Sequence, residues 1–252
     1  MLRQQLQRLS TKPTTGGHWP EGYDRIILET VDSTMAEAAR IASGLNRPTW
    51  IMARSQTNGR GRRGRAWSAP EGNLNATLVF NPLASPSANA LYAALSHYVS
   101  EEKLALKWPN DVLLAGGKVA GILLESSGRG PFVDYLSIGI GVNLRHCPEA
   151  VTDALFAPVS LFDVTGDEVA PEAFLATLAG AFATQEAKLA RLGFDRIRAD
   201  WLSHAARLGD VITARTMREE IRGTFDSIDE EGNLVLITGI GPRVISAADA
   251  YF

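Results

Sequence analysis

The sequence carries little that reacts with oxidants or metals: one cysteine, Cys147, and four histidines, His18, His97, His146 and His204, with no His-x-x-x-His pair among them. No intrachain disulfide is possible, which suits a reducing compartment. Scattered ligands argue against a dedicated metal site, and His146 next to Cys147 does not make a thiol site, because sequence neighbours seldom face each other usefully. Long apolar runs are also missing. No segment reaches the roughly 18 uncharged apolar residues of a membrane helix, and Met1 to Pro20 lacks the apolar stretch of a signal peptide. The reading is a cytoplasmic protein without membrane contact. A net charge of −3 lacks the broad cationic surface that coats nucleic acid. There is no Walker loop either: Gly116-Gly117-Lys118-Val119 has neither the spacing nor the Ser or Thr after the lysine, so any nucleotide is bound another way.

What is present is an ordinary globular composition, 45% hydrophobic and 21% charged over 252 residues, enough for one large domain or one large plus one small. Residues 1 to 20 are polar and rich in Gln, Thr and Gly, and read as a loosely ordered leader. Arg25 to Thr30 reads as a first strand, and Met35 to Ala42 as an alanine-rich helix with Asp32 or Ser33 as its N-cap. Leu74 to Phe80 is a strand and Ser85 to Lys103 a helix. Strands follow at Leu104 to Trp108 and Val112 to Leu114. Residues 145 to 170 read as loop, Pro171 to Gly193 as the strongest helix, and Phe194 to His204 as a second one. From about Leu208 short alternating strands separated by tight turns predict a small β-barrel of about 45 residues.

One stretch stands out. Ala53 to Trp67 packs five arginines, Arg54, Arg60, Arg62, Arg63 and Arg65, among Gly59, Gly61 and Gly64, directly after the apolar Trp50-Ile51-Met52. Glycine lets the backbone approach a ligand closely, and guanidinium forks match carboxylate and phosphate. Such a run is also compatible with a flexible nucleic-acid-binding segment or a solvated turn, but its place between strands gives it a scaffold.

Three further segments carry polar groups at strand ends. In Lys107-Trp108-Pro109-Asn110-Asp111 the proline breaks the strand and is expected to turn Asn110 and Asp111 outward, where Asn110 is either a turn residue or a ligand amide. Lys118 stands at the entrance to the apolar run Val119 to Glu125, as solvated surface or as a cation facing a pocket. Gly139 and Gly141, alternating in Leu136 to Leu144, strip one strand face where a ligand or another backbone lies close.

Taken together, Asp-Ser-Thr at 32 to 34, Gly-Arg-Gly-Arg-Arg-Gly-Arg at 59 to 65 with Trp67, Lys-Trp-Pro-Asn-Asp at 107 to 111, Gly-Lys-Val-Ala-Gly-Ile-Leu at 117 to 123 and Gly-Ile-Gly-Val-Asn at 139 to 143 resemble biotin protein ligases, over about residues 25 to 250. The resemblance implies an α/β (α+β) fold, a mixed-sheet catalytic domain like class II aminoacyl-tRNA synthetases and lipoate ligases at 21 to 206, then a small SH3-like barrel at 207 to 252. It implies an ATP-dependent enzyme that makes biotinyl-AMP and passes the biotinyl group to a lysine of a biotin carboxyl carrier domain, with Mg²⁺ accompanying ATP. By family match, Ser33, Thr34, Met35, Gln56, Gly59, Arg60, Gly61, Arg62, Lys118, Gly121 and Gly139 serve biotin. Arg62, Arg63, Trp67, Asn110, Lys118, Gly141 and Asn143 serve ATP and the adenylate, Trp67 stacking on or shielding adenine. Arg60 and Lys118 are the expected catalytic cations, and Lys118 is not a covalent nucleophile, since Lys118-Val119-Ala120-Gly121 lacks the Asp of the Lys-x-Asp-Gly adenylation motif. Met35 stands where the family commonly has Asn. Too few residues precede Ile26 for the winged helix of the repressor type, so no operator binding is expected. Monomer and homodimer stay open. The rivals are a lipoate or octanoate ligase of the same superfamily and an RNA-binding module using the arginine loop.

Overall fold

The computed structural model describes residues 18–68, 70–80, 86–129, 132–148, 156–216, 218–246 and 248–251. Most of the expected leader and the start of the helix expected from Ser85 lie outside the described residues. The chain begins with a β-α-β unit: Asp24–Val31 (β1), Thr34–Ile41 (α1) and Thr49–Gln56 (β2), with β1 and β2 parallel. Leu74–Phe80 (β3) then pairs antiparallel with β2. Helix Ser87–Leu95 (α2) leads to Leu104–Lys107 (β4), Asp111–Leu114 (β5), Gly117–Arg129 (β6) and Phe132–Val142 (β7). These strands form one mixed sheet in the order β1-β2-β3-β7-β6-β5-β4.

The strand patterning explains which side becomes the site. Along β3, Leu74, Ala76, Leu78 and Phe80 enter the main core, whereas Val79 on the other face packs with Ile51 and with Ala38 of α1. The main core is capped by α2 and by two later helices, Pro171–Leu192 (α4) and Phe194–Ser203 (α5), after the short Leu161–Thr165 (α3). Phe182 of α4 is the centre of that side: Tyr23, Trp50 and Phe80 meet its ring edge-on at centroid distances of 6.3, 5.9 and 6.0 Å. A fully buried ring of this kind contributes on the order of 2–3 kcal/mol. The opposite face is only partly covered, by α1, and there β3 and β7 present Asn75, Thr77, Gly139 and Gly141.

Differences from the sequence reading are local. The helix expected to reach Lys103 ends at Leu95, because the Ser96 hydroxyl and the His97 ring both turn back onto the Ala93 carbonyl and compete with further helix. Inside the span read as loop sits α3, opened by a capping box between Ser160 and Asp163 and closed by Gly166 at φ 76°.

The C-terminal strands are Val211–Arg215 (β8), Glu220–Ile228 (β9), Leu234–Thr238 (β10), Gly241–Ile245 (β11) and Asp249–Tyr251 (β12). They form an antiparallel sheet in the order β11-β10-β9-β8-β12, in which the last strand returns beside the first, the strand order of an SH3-like barrel. The connection to the larger sheet is intimate. Leu106 donates to the His204 carbonyl and Ala206 to the Leu106 carbonyl, both at 2.8 Å. The Trp108 indole donates to the Gly232 carbonyl at 3.1 Å, Arg198 donates to the Ile228 carbonyl at 3.0 Å, and the Trp201 and Phe225 rings pack 6.5 Å apart. One apolar cluster runs through both sheets.

Candidate active site

The uncovered face is built around the start of α1. Ser33 is the N-cap residue by backbone geometry, yet its hydroxyl makes no capping bond; Asp32 instead accepts from the Ser33 amide at 2.7 Å. Arg40 holds Asp32 in a bidentate pair, and this pairing keeps the Asp32 carboxyl well below the usual range. Thr34 faces inward. Its amide donates to Gln56 Oε1 at 2.7 Å and its hydroxyl donates to the same oxygen at 3.1 Å, while the Thr77 hydroxyl donates to Thr34 Oγ1 at 2.9 Å. Gln56 Nε2 in turn donates to Asn75 Oδ1 at 3.4 Å. Ser33, Thr34, Asn75 and Thr77 are all buried.

The arginine run folds into a small hairpin over this face. Trp67 donates to the Gly59 carbonyl at 2.9 Å, Gly61 donates to the Arg65 carbonyl at 2.7 Å, and Arg60 bridges Ala66. Its tip is a turn at Arg62–Gly64 with Arg63 in the left-handed region at φ 57°. Arg60 is ion-paired with Glu125 at 2.9 Å and Arg62 donates to Asn110 Oδ1 at 3.1 Å, while Arg63 and Arg65 lie on the exposed side. Arg54 is apart from the others: it pairs with Glu29 and with Glu172 of α4.

The two alternating glycines have a definite use. A Cβ at Gly141 would stand 2.3 Å from Cε2 and Cζ2 of Trp67, and one at Gly139 would stand 2.8 Å from Sδ of Met35. The stripped face therefore receives two side chains of the protein itself, and both close at van der Waals range only because Cβ is missing. Gly121, the register partner of Gly141, lies under the other edge of the indole, with Trp67 Cζ3 3.4 Å and Lys118 Nζ 3.5 Å from its Cβ position.

Next to this trough is a cluster of three charges. Lys118 Nζ is 2.6 Å from Asp111 Oδ1 and 5.9 Å from the centre of the Trp67 ring. Lys107, 5% exposed, reaches Asp111 Oδ2 at 3.5 Å and lies 5.3 Å from the Phe156 ring centre. Pro109 ends β4 as expected, but Asp111 points inward between the two lysines, contrary to the outward turn read from the sequence; two buried or half-buried ammoniums draw it in. The two cations share this one carboxylate. Asn110 is held from both sides, donating to the Ile122 carbonyl at 2.6 Å while accepting from Arg62. Asn143 is buried; its Nδ2 donates to the Lys118 and Val159 carbonyls at 3.4 and 3.2 Å, and its Oδ1 has no partner among the described residues.

The structure thus brings Thr34, Met35, Gln56, Gly59, Arg62, Trp67, Asn110, Lys118, Gly121, Gly139 and Gly141 to one face, with Arg60 and Ser33 at its edge and Arg63 exposed at the hairpin tip. Asn143 lies beside the strand that carries Lys118, its backbone amide donating to the Val119 carbonyl and its Nδ2 to the Lys118 carbonyl. Asn75, Thr77, Lys107, Asp111 and Glu125 were not singled out from the sequence. Asp111 had a signal, its place in Lys-Trp-Pro-Asn-Asp; Asn75 and Thr77 had only their alternation in a strand. Among the described residues no three His, Cys, Asp or Glu side chains come together as a metal cage. A separate cavity of about 270 Å³ lies where Trp108, Pro109 and Asn110 meet α5 and the C-terminal sheet.

Residues 27–143, which hold every element of this face, match the Biotin/lipoate A/B protein ligase family. Within that class the similarity is sharper. The chain is 49% identical over 238 residues to the biotin–[acetyl-CoA-carboxylase] ligase of Paracoccus denitrificans, covering 90% of this chain and 99% of that one. It is 32% identical over 240 residues to the bifunctional ligase/repressor BirA of Bacillus subtilis, covering 90% of this chain and 74% of that protein. Among solved structures, the biotin protein ligase of Aquifex aeolicus in complex with biotin and ATP superposes with a TM-score of 0.74 at 27% identity, covering 90% of this chain and 97% of that one. The chain belongs to the biotin protein ligase branch of this family. No helix among the described residues is long and apolar enough to cross a membrane.

Proposed function

We infer that this protein is an ATP-dependent biotin ligase that joins biotin to a lysine of a biotin carboxyl carrier domain by way of biotinyl-5′-AMP. In the first step a biotin carboxylate oxygen attacks the α-phosphorus of ATP; the new P–O bond forms as the bond to pyrophosphate breaks. In the second, the neutral amine of the acceptor lysine attacks the acyl carbon, AMP leaves, and the amide nitrogen loses its proton. The first step brings two anions together, and in the second negative charge grows on the acyl oxygen and on the departing AMP, so the barrier falls where fixed cations and N–H donors face that charge.

The observation that carries the reading is the placement of Lys118, Trp67 and the Arg62–Asn110 pair along the single glycine-lined row Gly121–Gly141, beside the buried Thr34–Gln56 corner. Lys118 leaves Asp111 for the carboxylate and α-phosphate, and Lys107 keeps Asp111 neutralised meanwhile. Arg60 and the backbone of Gly61 close over the anion, with Arg62 and Arg63 on the phosphates. Ser33, Thr34, Met35, Gln56 and Gly139 form the neutral end that takes the ureido ring. Trp67 covers adenine from the hairpin, with Asn110, Gly141 and Asn143 around the nucleotide. Mg²⁺ would accompany ATP and neutralise charge on its phosphates beside Arg62. Residues 21–206 form the ligase unit and 207–252 the barrel unit.

Biotin-dependent exchange of labelled pyrophosphate into ATP tests this directly, with lipoate and octanoate run in parallel. Exchange with biotin alone is the expected result. Exchange with lipoate or octanoate would move the substrate within the same family, and exchange with none of them would refute the adenylating reaction.

A further inference from the structure

Asn75 lies in the interior of β3, 1% exposed, and its Nδ2 is buried with no hydrogen-bond partner among the described residues. Its amide orientation is not free to reverse. Gln56 Oε1 accepts from the Thr34 backbone amide, which can only donate, so Gln56 Nε2 must be the group that faces Asn75. Asn75 therefore turns Oδ1 toward Gln56 and Nδ2 away from it, and the Thr77–Thr34–Gln56 chain behind it fixes that choice. An unpaired buried N–H₂ is costly unless something else accepts from it.

We propose that Asn75 is a specificity-determining residue of the biotin site, its Nδ2 donating to the ureido carbonyl oxygen of biotin. The assignment rests on the ligase reading above. Register decides which end of biotin it meets. Asn75 pairs with Gly141 and Gly141 with Gly121, so the three form one cross-strand row on the same face; the Trp67 indole rests on the two glycines, and a ligand takes the row as the indole lifts with the hairpin. Lys118 stands at the Gly121 end. Two strand spacings separate the ends, about 10 Å. A ligand with a carboxylate at one end and a neutral polar ring at the other, joined by a four-methylene chain, fits that row in one direction: carboxylate at Lys118, ring at Asn75. The ring carries one acceptor, its carbonyl oxygen, and Asn75 Nδ2 is a donor in need of one.

The test compares biotin with 2-iminobiotin, whose protonated guanidinium replaces the ureido carbonyl by a donor, in pyrophosphate exchange. Wild type should favour biotin strongly. Asn75→Asp exchanges the donor for an acceptor without changing shape, so kcat/KM for biotin should fall by at least tenfold while the biotin-to-iminobiotin ratio falls further. Asn75→Ala, which carries no new charge, should raise KM for biotin by about tenfold with KM for ATP and kcat little changed. An unchanged KM for biotin in Asn75→Ala, or equal losses for both ligands in Asn75→Asp, would overturn the assignment and leave the ligase reading standing. Absence of biotin-dependent exchange in the wild type would overturn the ligase reading and this assignment together.

Discussion

Gly141→Ala tests the packing at the centre of the site. Its Cβ would stand 2.3 Å from two carbons of Trp67, more than an ångström inside normal contact. One partner must yield. β7 is paired on both sides, to β3 and to β6, and its neighbours Ile140 and Val142 are buried in the main core. The hairpin carrying Trp67 has its own backbone bonds between Gly59 and Trp67 and between Gly61 and Arg65, and it is tied to the sheet through side-chain pairs such as Arg60–Glu125 and Arg62–Asn110 and not through a strand ladder. The indole should therefore move and the strand stay. Overpacking costs about 1–3 kcal/mol, and if that is withdrawn from the nucleotide-binding arrangement it corresponds to roughly 5- to 150-fold in affinity. We expect KM for ATP to rise by about tenfold or more, tryptic cleavage after Arg60, Arg62, Arg63 and Arg65 to accelerate, and Tm to fall by only a few degrees. Trp67→Ala should give the same ATP defect, and adding Gly141→Ala to it should change nothing further. Fully additive losses in the double variant, or a large fall in Tm with a wild-type tryptic pattern, would show that the strand yields and refute the reasoning.

Lys118→Met should lower kcat/KM for biotin-dependent exchange by ten- to a hundredfold, since a charge-assisted hydrogen bond is worth about 1.5–3 kcal/mol; a change below threefold in steady-state kinetics would remove Lys118 from the reaction. Asp111→Asn should also destabilise the fold, because it removes the carboxylate that Lys118 and the buried Lys107 share; a loss of about 3 kcal/mol, or some 6–12 °C in Tm by calorimetry, is expected. The Cys147 thiol is pushed up to about 11, first by burial and then by donation to Asp163. Its anion forms only as pH approaches that value, so alkylation at pH 8 should run roughly a hundredfold slower than that of an unperturbed thiol, and Asp163→Asn should speed it; an iodoacetamide rate matching free cysteine would refute the pairing.

The order of strands and helices was legible because their cores are apolar runs ended by Gly, Pro or Asn, as in β3, β6 and α4. The arginine hairpin, the Lys107–Asp111 turn and Lys118 were legible because they combine rare residue types at fixed spacing. What escaped was set by tertiary packing. Asn75 and Thr77 alternate with apolar residues as any solvent-facing set does, and only the placement of α1 over that face makes them buried. Asp111 turns inward to Lys118, which the register shift between Val112 and Leu113 sets opposite Leu113, two residues further along β5. The short α3 and the three-residue β12 lack the length for a periodic signal, although Ser160-x-x-Asp163 with Gly166 carried the α3 capping pattern.

The shared core of the two sheets has a thermodynamic consequence. Because Trp201 meets Phe225 and the Trp108 indole is anchored on Gly232, neither sheet can lose its packing without uncovering apolar surface on the other. The two sheets are therefore expected to melt as one cooperative unit, in a single calorimetric transition, with loosening at the far end of the chain felt at the Lys107–Asp111 turn.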